Sequence, residues 1–521
     1  MSLVQTLHYE LGTPSESPPA PNPPVDVPLQ TTPDDGQPVF ERAPLTVVNK
    51  PRRVIITALI ILANVAQMTV NFAGIAGGSE ITKSMGIKDS YASWIAASYA
   101  LTQGTFVLMS GRVGDVYGHR NLLLGGGIWL ALCTLICAFC DNFFAFVCMR
   151  ALSGVGGAAI MPNAVAMIAS TNPPGRARNL SLGLFGASAP LGGYIGALFL
   201  GAFLVRTEWK WFFVFIACLT GLTFVSLWIL TTKESPLDRS GKIDWIGSFL
   251  GTSSLILFNF VWNQAPSVGW STPYEIALLL VSVLLFASFL LWERSTPHPI
   301  MPLDIFKAPC FLTLLFVVLL NYMAVGTLIW YQFAVGWTPF VICGMGAACL
   351  AAWLIPRVAA QWILAIGTVT ILVSSVLMAT VPMHQTYWAQ IFPSVVLFAF
   401  CPDLVYTAGQ IIASNSVRRH QQGIAGSIIG TLNLYGNSLG LGFASTIEVQ
   451  IAKSSGSRVM GYRAALYFGV GISAVALLLD IFFVRMVKDE REGWDEDEQL
   501  ADEVELAEAT GARLPGAVER A

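Results

Sequence analysis

Few side chains in this sequence could do chemistry, and they sit in unusual company. Arg150, Asp403 and Asp480 each interrupt a long apolar run, and the stretch Gly111-Arg-Val-Gly-Asp-Val-Tyr-Gly-His-Arg120 places Arg112, Asp115 and Arg120 between two such runs. A carboxylate among apolar groups can load and release a proton when its exposure changes. Asp403, beside Pro402 and well inside its run, is the first candidate for such a proton site; Asp480 lies nearer an end, where Arg485 could pair with it. A cation at Arg150 costs about 2.5 to 3.5 kcal/mol in hydrocarbon even on the lenient insertion scale, so it must face protein or water.

Other chemistries lack their residues. The chain has no Gly-x-x-x-x-Gly-Lys-(Ser/Thr) loop to cradle a nucleoside triphosphate. It has no nucleophile motif, and its five histidines, at 8, 119, 298, 384 and 420, form no metal-spaced pair. Cys133, Cys137 and Cys140 share a helical face without an accompanying histidine, so they read as small packing residues, like the other cysteines in and beside the apolar runs. The expectation is a protein that is not an enzyme and holds neither metal nor cofactor. No basic tract exists to bind nucleic acid, and the net charge is only −3.

The elements that must position these residues follow from composition. Hydrophobic residues make up 54% and charged residues 12%, where a soluble domain carries about 25% charged. Runs near the ~20 residues that a helix needs to cross hydrocarbon fall at 54–75, 92–110, 122–139, 144–168, 182–205, 211–230, 245–261, 276–292, 311–333, 337–355, 362–381, 388–412, 424–447 and 466–484. These make fourteen predicted spans, with spans nine and ten joined only by residues 336–339. Basic residues concentrate after even-numbered spans, as at Arg112, Arg120, Arg176, Arg178, Lys233, Arg239, Arg418 and Arg419, and at the flanks Lys50, Arg52, Arg53 and Arg485. The positive-inside rule then puts both termini in the cytosol. Residues 1–50, rich in Pro, Ser, Thr and Asp, and the acidic residues 488–521 read as disordered cytosolic tails.

Three stretches carry a family resemblance. The turn Gly111 to Arg120 resembles the loop between the second and third helices of the major facilitator superfamily, with Gly111, Asp115, Gly118 and Arg120 in register. Arg150-Ala-Leu-Ser-Gly-Val-Gly156 resembles the family's helix-four signature, and Ala189-Pro-Leu-Gly-Gly193 resembles the helix-five signature of its antiporter branches. The chain looks closest to fungal members of the fourteen-helix drug:proton antiporter branch.

The resemblance implies an all-α integral membrane protein of the major facilitator fold. Its expected parts are a six-helix bundle at 51–232, two inserted helices with their connectors at 233–308, and a second six-helix bundle at 309–487. It further implies a gating latch built from Gly111, Arg112, Asp115, Gly118 and Arg120. Arg150 is expected to assist Asp403 in proton coupling, and Pro190, Gly192 and Gly193 to make a bendable seam. Counting inward along the helices, Gln67, Asn71, Gln103 and Asn321 fall near the middle of their spans and are expected to line a substrate cavity. The pattern around Ala66-Gln-Met-Thr-Val-Asn-Phe-Ala73 resembles an antiporter helix one that usually holds an acid, yet no acid is present.

The expected function is therefore secondary active transport, with proton-coupled efflux of a drug-like compound or secondary metabolite by alternating access. The alternatives are a carrier of a small polar solute such as ammonium, borate, an amino acid or an iron chelate, and a non-transporting membrane sensor on the same scaffold. Expected partners are the lipid bilayer, a small-molecule substrate and protons, for a monomer in the plasma membrane, with the vacuolar membrane as the alternative location.

Overall fold

The computed structural model describes residues 50–88, 91–172, 176–232, 242–297, 299–332, 338–354, 357–382, 384–417 and 422–485. Among them the helices are α1 (Lys50–Ser84), α2 (Ala92–Tyr117), α3 (His119–Ala138), α4 (Phe143–Thr171), α5 (Arg176–Arg206), α6 (Trp209–Leu230) and α7 (Trp245–Val268). They continue as α8 (Pro273–Glu293), α9 (Phe311–Gln332), α10 (Thr338–Leu354), α11 (Ala360–Ala379), α12 (Ile391–Ser416), α13 (Gln422–Ser455) and α14 (Arg458–Phe483). Fourteen predicted spans thus become fourteen helices. The expected tails up to residue 49 and from 488, together with Lys233, Arg239, Arg418, Arg419 and residues 336–337 of the connector, lie outside the described residues.

Local chemistry sets the helix ends. Asn142 accepts from the Phe144 amide at 2.8 Å to cap α4, and Asp244 accepts from the Gly247 amide at 2.9 Å to cap α7. Gly118, Gly269 and Gly456 adopt φ of 95°, 93° and 68°, each just past a helix, a conformation that costs glycine little. The C-terminus of α6 is closed by two arginines. Arg52 donates to the Leu230 carbonyl at 2.9 Å, and Arg120 donates to the Trp228 carbonyl and to both oxygens of Thr231 at 2.8 to 3.1 Å. Both satisfy carbonyls that the helix leaves unpaired at the negative end of its dipole.

Eleven of the helices contain a stretch long and apolar enough to cross a membrane. The other three are α2, α10 and α13. For α10 the cause is length, 17 residues. For α2 and α13 the cause is packing: they lie against each other in the interior, where Ser, Thr, Asn, Gln and Gly replace lipid-facing side chains.

Two apolar cores divide the helices. One joins Ile60 and Ile95 with Leu123, Phe146, Phe185 and Phe224, so it belongs to α1–α6. The other joins Phe311 and Leu328 with Phe340, Ile371, Phe398 and Ile429, and belongs to α9–α14. The two halves meet along two seams, α2 on α13 and α5 on α10. Helix α7 lies over the first seam, packed on α13, α2 and α8. Its hold on α13 is specific: Tyr435 donates to the Leu255 carbonyl at 3.0 Å, Ser438 donates to Asn259 Oδ1 at 2.9 Å, and the Trp262 ring stacks on Phe443 at 3.6 Å.

Candidate functional site

The charged turn is built around a histidine. Gly118 turns the chain between α2 and α3, and its amide donates to the Gly114 carbonyl at 2.8 Å. His119 follows as the first residue of α3 and is buried, 7% exposed. Its Nδ1 lies 2.8 Å from Asn163 Oδ1 on α4, and its Nε2 lies 3.4 Å from Asp115 Oδ1. Asn163 gives its own amide hydrogens to the Ala159 and Ser110 carbonyls, which leaves its oxygen as the acceptor for Nδ1. The turn therefore positions Asp115 by fixing the ring beside it. Gly111 presses on the other half, since a Cβ there would stand 3.3 Å from Ser427 Oγ on α13. Arg120 points away from this seam, into the α6 terminus.

Arg150 is fully buried in α4. It donates through Nε to the Ile95 carbonyl of α2 at 2.7 Å, and through Nη1 and Nη2 to the Val70 and Asn71 carbonyls of α1 at 3.1 and 3.3 Å. The Tyr99 ring lies 5.8 Å from its guanidinium carbon. The planar fork of the guanidinium serves three carbonyls on two helices at once. Gly74 makes room for it, because a Cβ there would collide with the guanidinium.

A cavity of about 50 Å³ lies directly beyond these carbonyls, on the α2–α13 seam. Its walls include Asn71 and Phe72 of α1, Ala97 of α2, and Asn437 and Ser438 of α13, set among apolar residues such as Ile75, Ile329, Leu434 and Leu441. Two of the wall groups, Asn71 Oδ1 and Asn437 Oδ1, are buried with no hydrogen-bond partner. The space suits a few waters or one small solute. Arg150 thus stands behind the wall, holding the backbone of Asn71 and of Ile95 while Asn71 presents its side chain to the cavity.

The other residues expected in a cavity are elsewhere. Gln67 is fully buried and donates to Asn64 Oδ1 at 3.0 Å, and Asn64 in turn reaches Ser188 of α5 at 2.7 Å. Gln103 is fully buried against α4, and neither end of its amide has a partner. Asn321 faces inward within its own half and donates to Thr368 of α11 at 3.1 Å.

The second seam brings the proline of α5 to the carboxylate of α12. A Cβ at Gly344 of α10 would stand 3.4 Å from the Pro190 ring and 3.9 Å from Asp403 Oδ2. Pro190 is buried here, Asp403 is partly buried, and the Tyr322 hydroxyl donates to the Pro402 carbonyl at 2.8 Å. Gly192 faces α1, where Thr69 donates to its carbonyl at 3.0 Å, and Gly193 faces the Phe72 ring. Asp480 does not pair with Arg485: both of its carboxylate oxygens are buried without a partner.

Sequence reasoning missed Asn163, Tyr99, Gly344 and the cavity role of Asn437 and Ser438. Asn437 left a trace, as a polar residue within the apolar run 424–447. His119 left another, as a histidine within the charged turn.

Comparison with known proteins agrees with this architecture. Residues 59–440 match the Major Facilitator Superfamily. The chain is 34% identical to the low affinity ammonium transporter of Saccharomyces cerevisiae, over 74% of this chain and 79% of that protein. It is 31% identical to the efflux pump terJ of Aspergillus terreus, over 76% of this chain and 80% of that protein. The crystal structure of a POT family transporter in complex with thioalcohol conjugated peptide shares the fold, with a TM-score of 0.62 and 14% identity over 82% of this chain and 94% of that one. Fourteen helices in two halves, a cavity where the halves meet and a match across most of the chain lead to one conclusion: this protein is a transporter of the Major Facilitator Superfamily.

Proposed function

We propose that the chain is a proton-coupled secondary transporter that exports a small organic compound by alternating access, with both termini in the cytosol of the cell whose plasma membrane holds it. The observation that carries this reading is that the cavity and Asp403 lie on the two seams between the halves. Rocking one half against the other opens a seam toward one face and closes it toward the opposite face. A cargo in the α1–α2–α9–α13 cavity and a proton on Asp403 would then change their access in the same motion. Asp115, held beside His119 at the cytosolic end of α2, acts as the latch between halves, with Gly111 against α13. Pro190, Gly192 and Gly193 let α5 bend as its seam opens, since Pro190 leaves one carbonyl of the helix without its usual donor.

Vesicles containing the purified protein test the coupling. An acid-inside gradient should drive uptake of a cargo found by screening drug-like compounds. Asp403→Asn should lower gradient-driven uptake about tenfold or more while exchange without a gradient persists. Equal loss of both activities would assign Asp403 a structural role instead.

A second reading is supported by the cavity's chemistry. The cavity is small and uncharged, with Asn71, Asn437 and Ser438 among its apolar wall residues, which suits a small solute such as ammonium, the cargo named for the yeast relative. Flux of methylammonium with no flux of larger compounds would favour it.

A further inference from the structure

Each ring nitrogen of His119 faces an acceptor. Nδ1 meets Asn163 Oδ1 at 2.8 Å, and Asn163 offers oxygen there because its amide nitrogen is spent on the Ala159 carbonyl at 2.7 Å. Nε2 meets Asp115 Oδ1 at 3.4 Å. A neutral imidazole has one N–H and one lone pair, so with Nδ1 donating to Asn163 its bare Nε2 would confront a carboxylate. The doubly protonated ring suits both contacts. Gly114 admits the arrangement, since a Cβ there would overlap Asn163 Oδ1 and His119 Nδ1.

The elements packed on α3 are α4, α6, α2 and α1. Helix α4 carries only Arg150 and α6 only Lys210, both in the half of the helix farther from this turn. Helix α1 begins with Lys50, Arg52 and Arg53, of which Arg52 is bound to the Leu230 carbonyl. Helix α2 adds Arg112, about one turn before Asp115, and α3 adds Arg120, bound to the end of α6. Lysine and arginine keep their charge near neutrality, whereas histidine is the residue type that changes charge between about pH 5 and 8. Gly104 against Leu434 and Gly111 against Ser427 show that α2 and α13 run antiparallel. Asp115 therefore comes level with the first turn of α13, where unpaired amides favour a negative charge.

On the reading of Asp115 as the latch between the halves, we propose that His119 is its positioning residue and makes the latch sensitive to cytosolic pH. The imidazolium holds the carboxylate at the α2–α13 seam, and loss of the Nε2 proton sets a lone pair against it and releases it. Because the latched state binds the extra proton, it is favoured at low pH and lost as pH rises.

Pulsed EPR on the full chain in lipid, without its native cysteines, tests this with spin labels at the exposed residues Thr232 of the first half and Asn415 of the second. Between pH 6 and pH 8 the ratio of open to latched molecules should rise about threefold, the scale of an ion pair to a partly exposed carboxylate. His119→Gln should remove the pH response, and His119→Arg should hold the latched population up to pH 8. Asp115→Asn should open the cytosolic end at both pH values. A wild-type ratio that does not move with pH, while Asp115→Asn still opens the cytosolic end, overturns the proposal and leaves the latch standing; this result needs no His119 variant to fold. An undiminished pH response in His119→Gln overturns it as well. If Asp115→Asn leaves the distances unchanged, the latch itself has failed, and the proposal with it.

Discussion

Arg150 illustrates how one side chain can organise a membrane interior. Its three acceptors are backbone carbonyls on α1 and α2, so its removal loosens both helices at the cavity wall. Hydrogen bonds to a charged group contribute about 1.5 to 3 kcal/mol each. Arg150→Lys keeps the charge but loses the fork, and is expected to lower the thermal midpoint of the purified protein by several degrees and transport by about tenfold. Gly74→Val should reproduce both losses, because its side chain would occupy the guanidinium's place. A Gly74→Val protein with wild-type stability and flux would refute this account. The residue type at 150 and its burial were legible in the sequence, because hydrocarbon excludes a lone cation. Its partners were not: they lie 55, 80 and 79 residues away. Arg120 teaches the same lesson, since its charge suggested a cluster on the gate and its geometry closes α6.

At the scale of elements, helix α7 has a clear allegiance. It is tied to α13 by Tyr435, by Ser438 and by the Trp262–Phe443 stack, whereas its aromatic contact with α2 is the tilted pair Trp94 and Phe260 at 5.1 Å. Helix α7 should therefore travel with the second half. In a background lacking the nine native cysteines, cross-linking cysteines placed at Leu255 and Tyr435 is expected to leave at least about half of the transport rate, because elements of one rigid body do not slide on each other. Loss of transport on cross-linking would show that α7 moves against α13. Spans two and thirteen were found in the sequence by their position between charged loops. Their low hydropathy made sense only once each was seen to cover the other.

For the molecule as a whole, alternating access requires the halves to separate where α2 meets α13. Ser438 Oγ of α13 lies 3.4 Å from the Ala97 carbonyl oxygen of α2, so cysteines replacing Ala97 and Ser438 would stand close enough to join. Oxidation of that pair should stop net flux, and reduction should restore it. Flux that continues through the closed disulfide would exclude separation at this seam. The number of helices and the family were legible in the sequence, and so were the positions of the charges inside the spans. Hydrocarbon thickness fixes span length and the cost of a bare charge fixes its neighbourhood, and both act locally along the chain. The tertiary structure alone decided which of four polar candidates faces a cavity, that Asn437 joins it from the other half, and that Asp480 makes no ion pair with Arg485. Those outcomes depend on how helices far apart in the chain rotate to satisfy one another's buried groups, and no local pattern records that rotation.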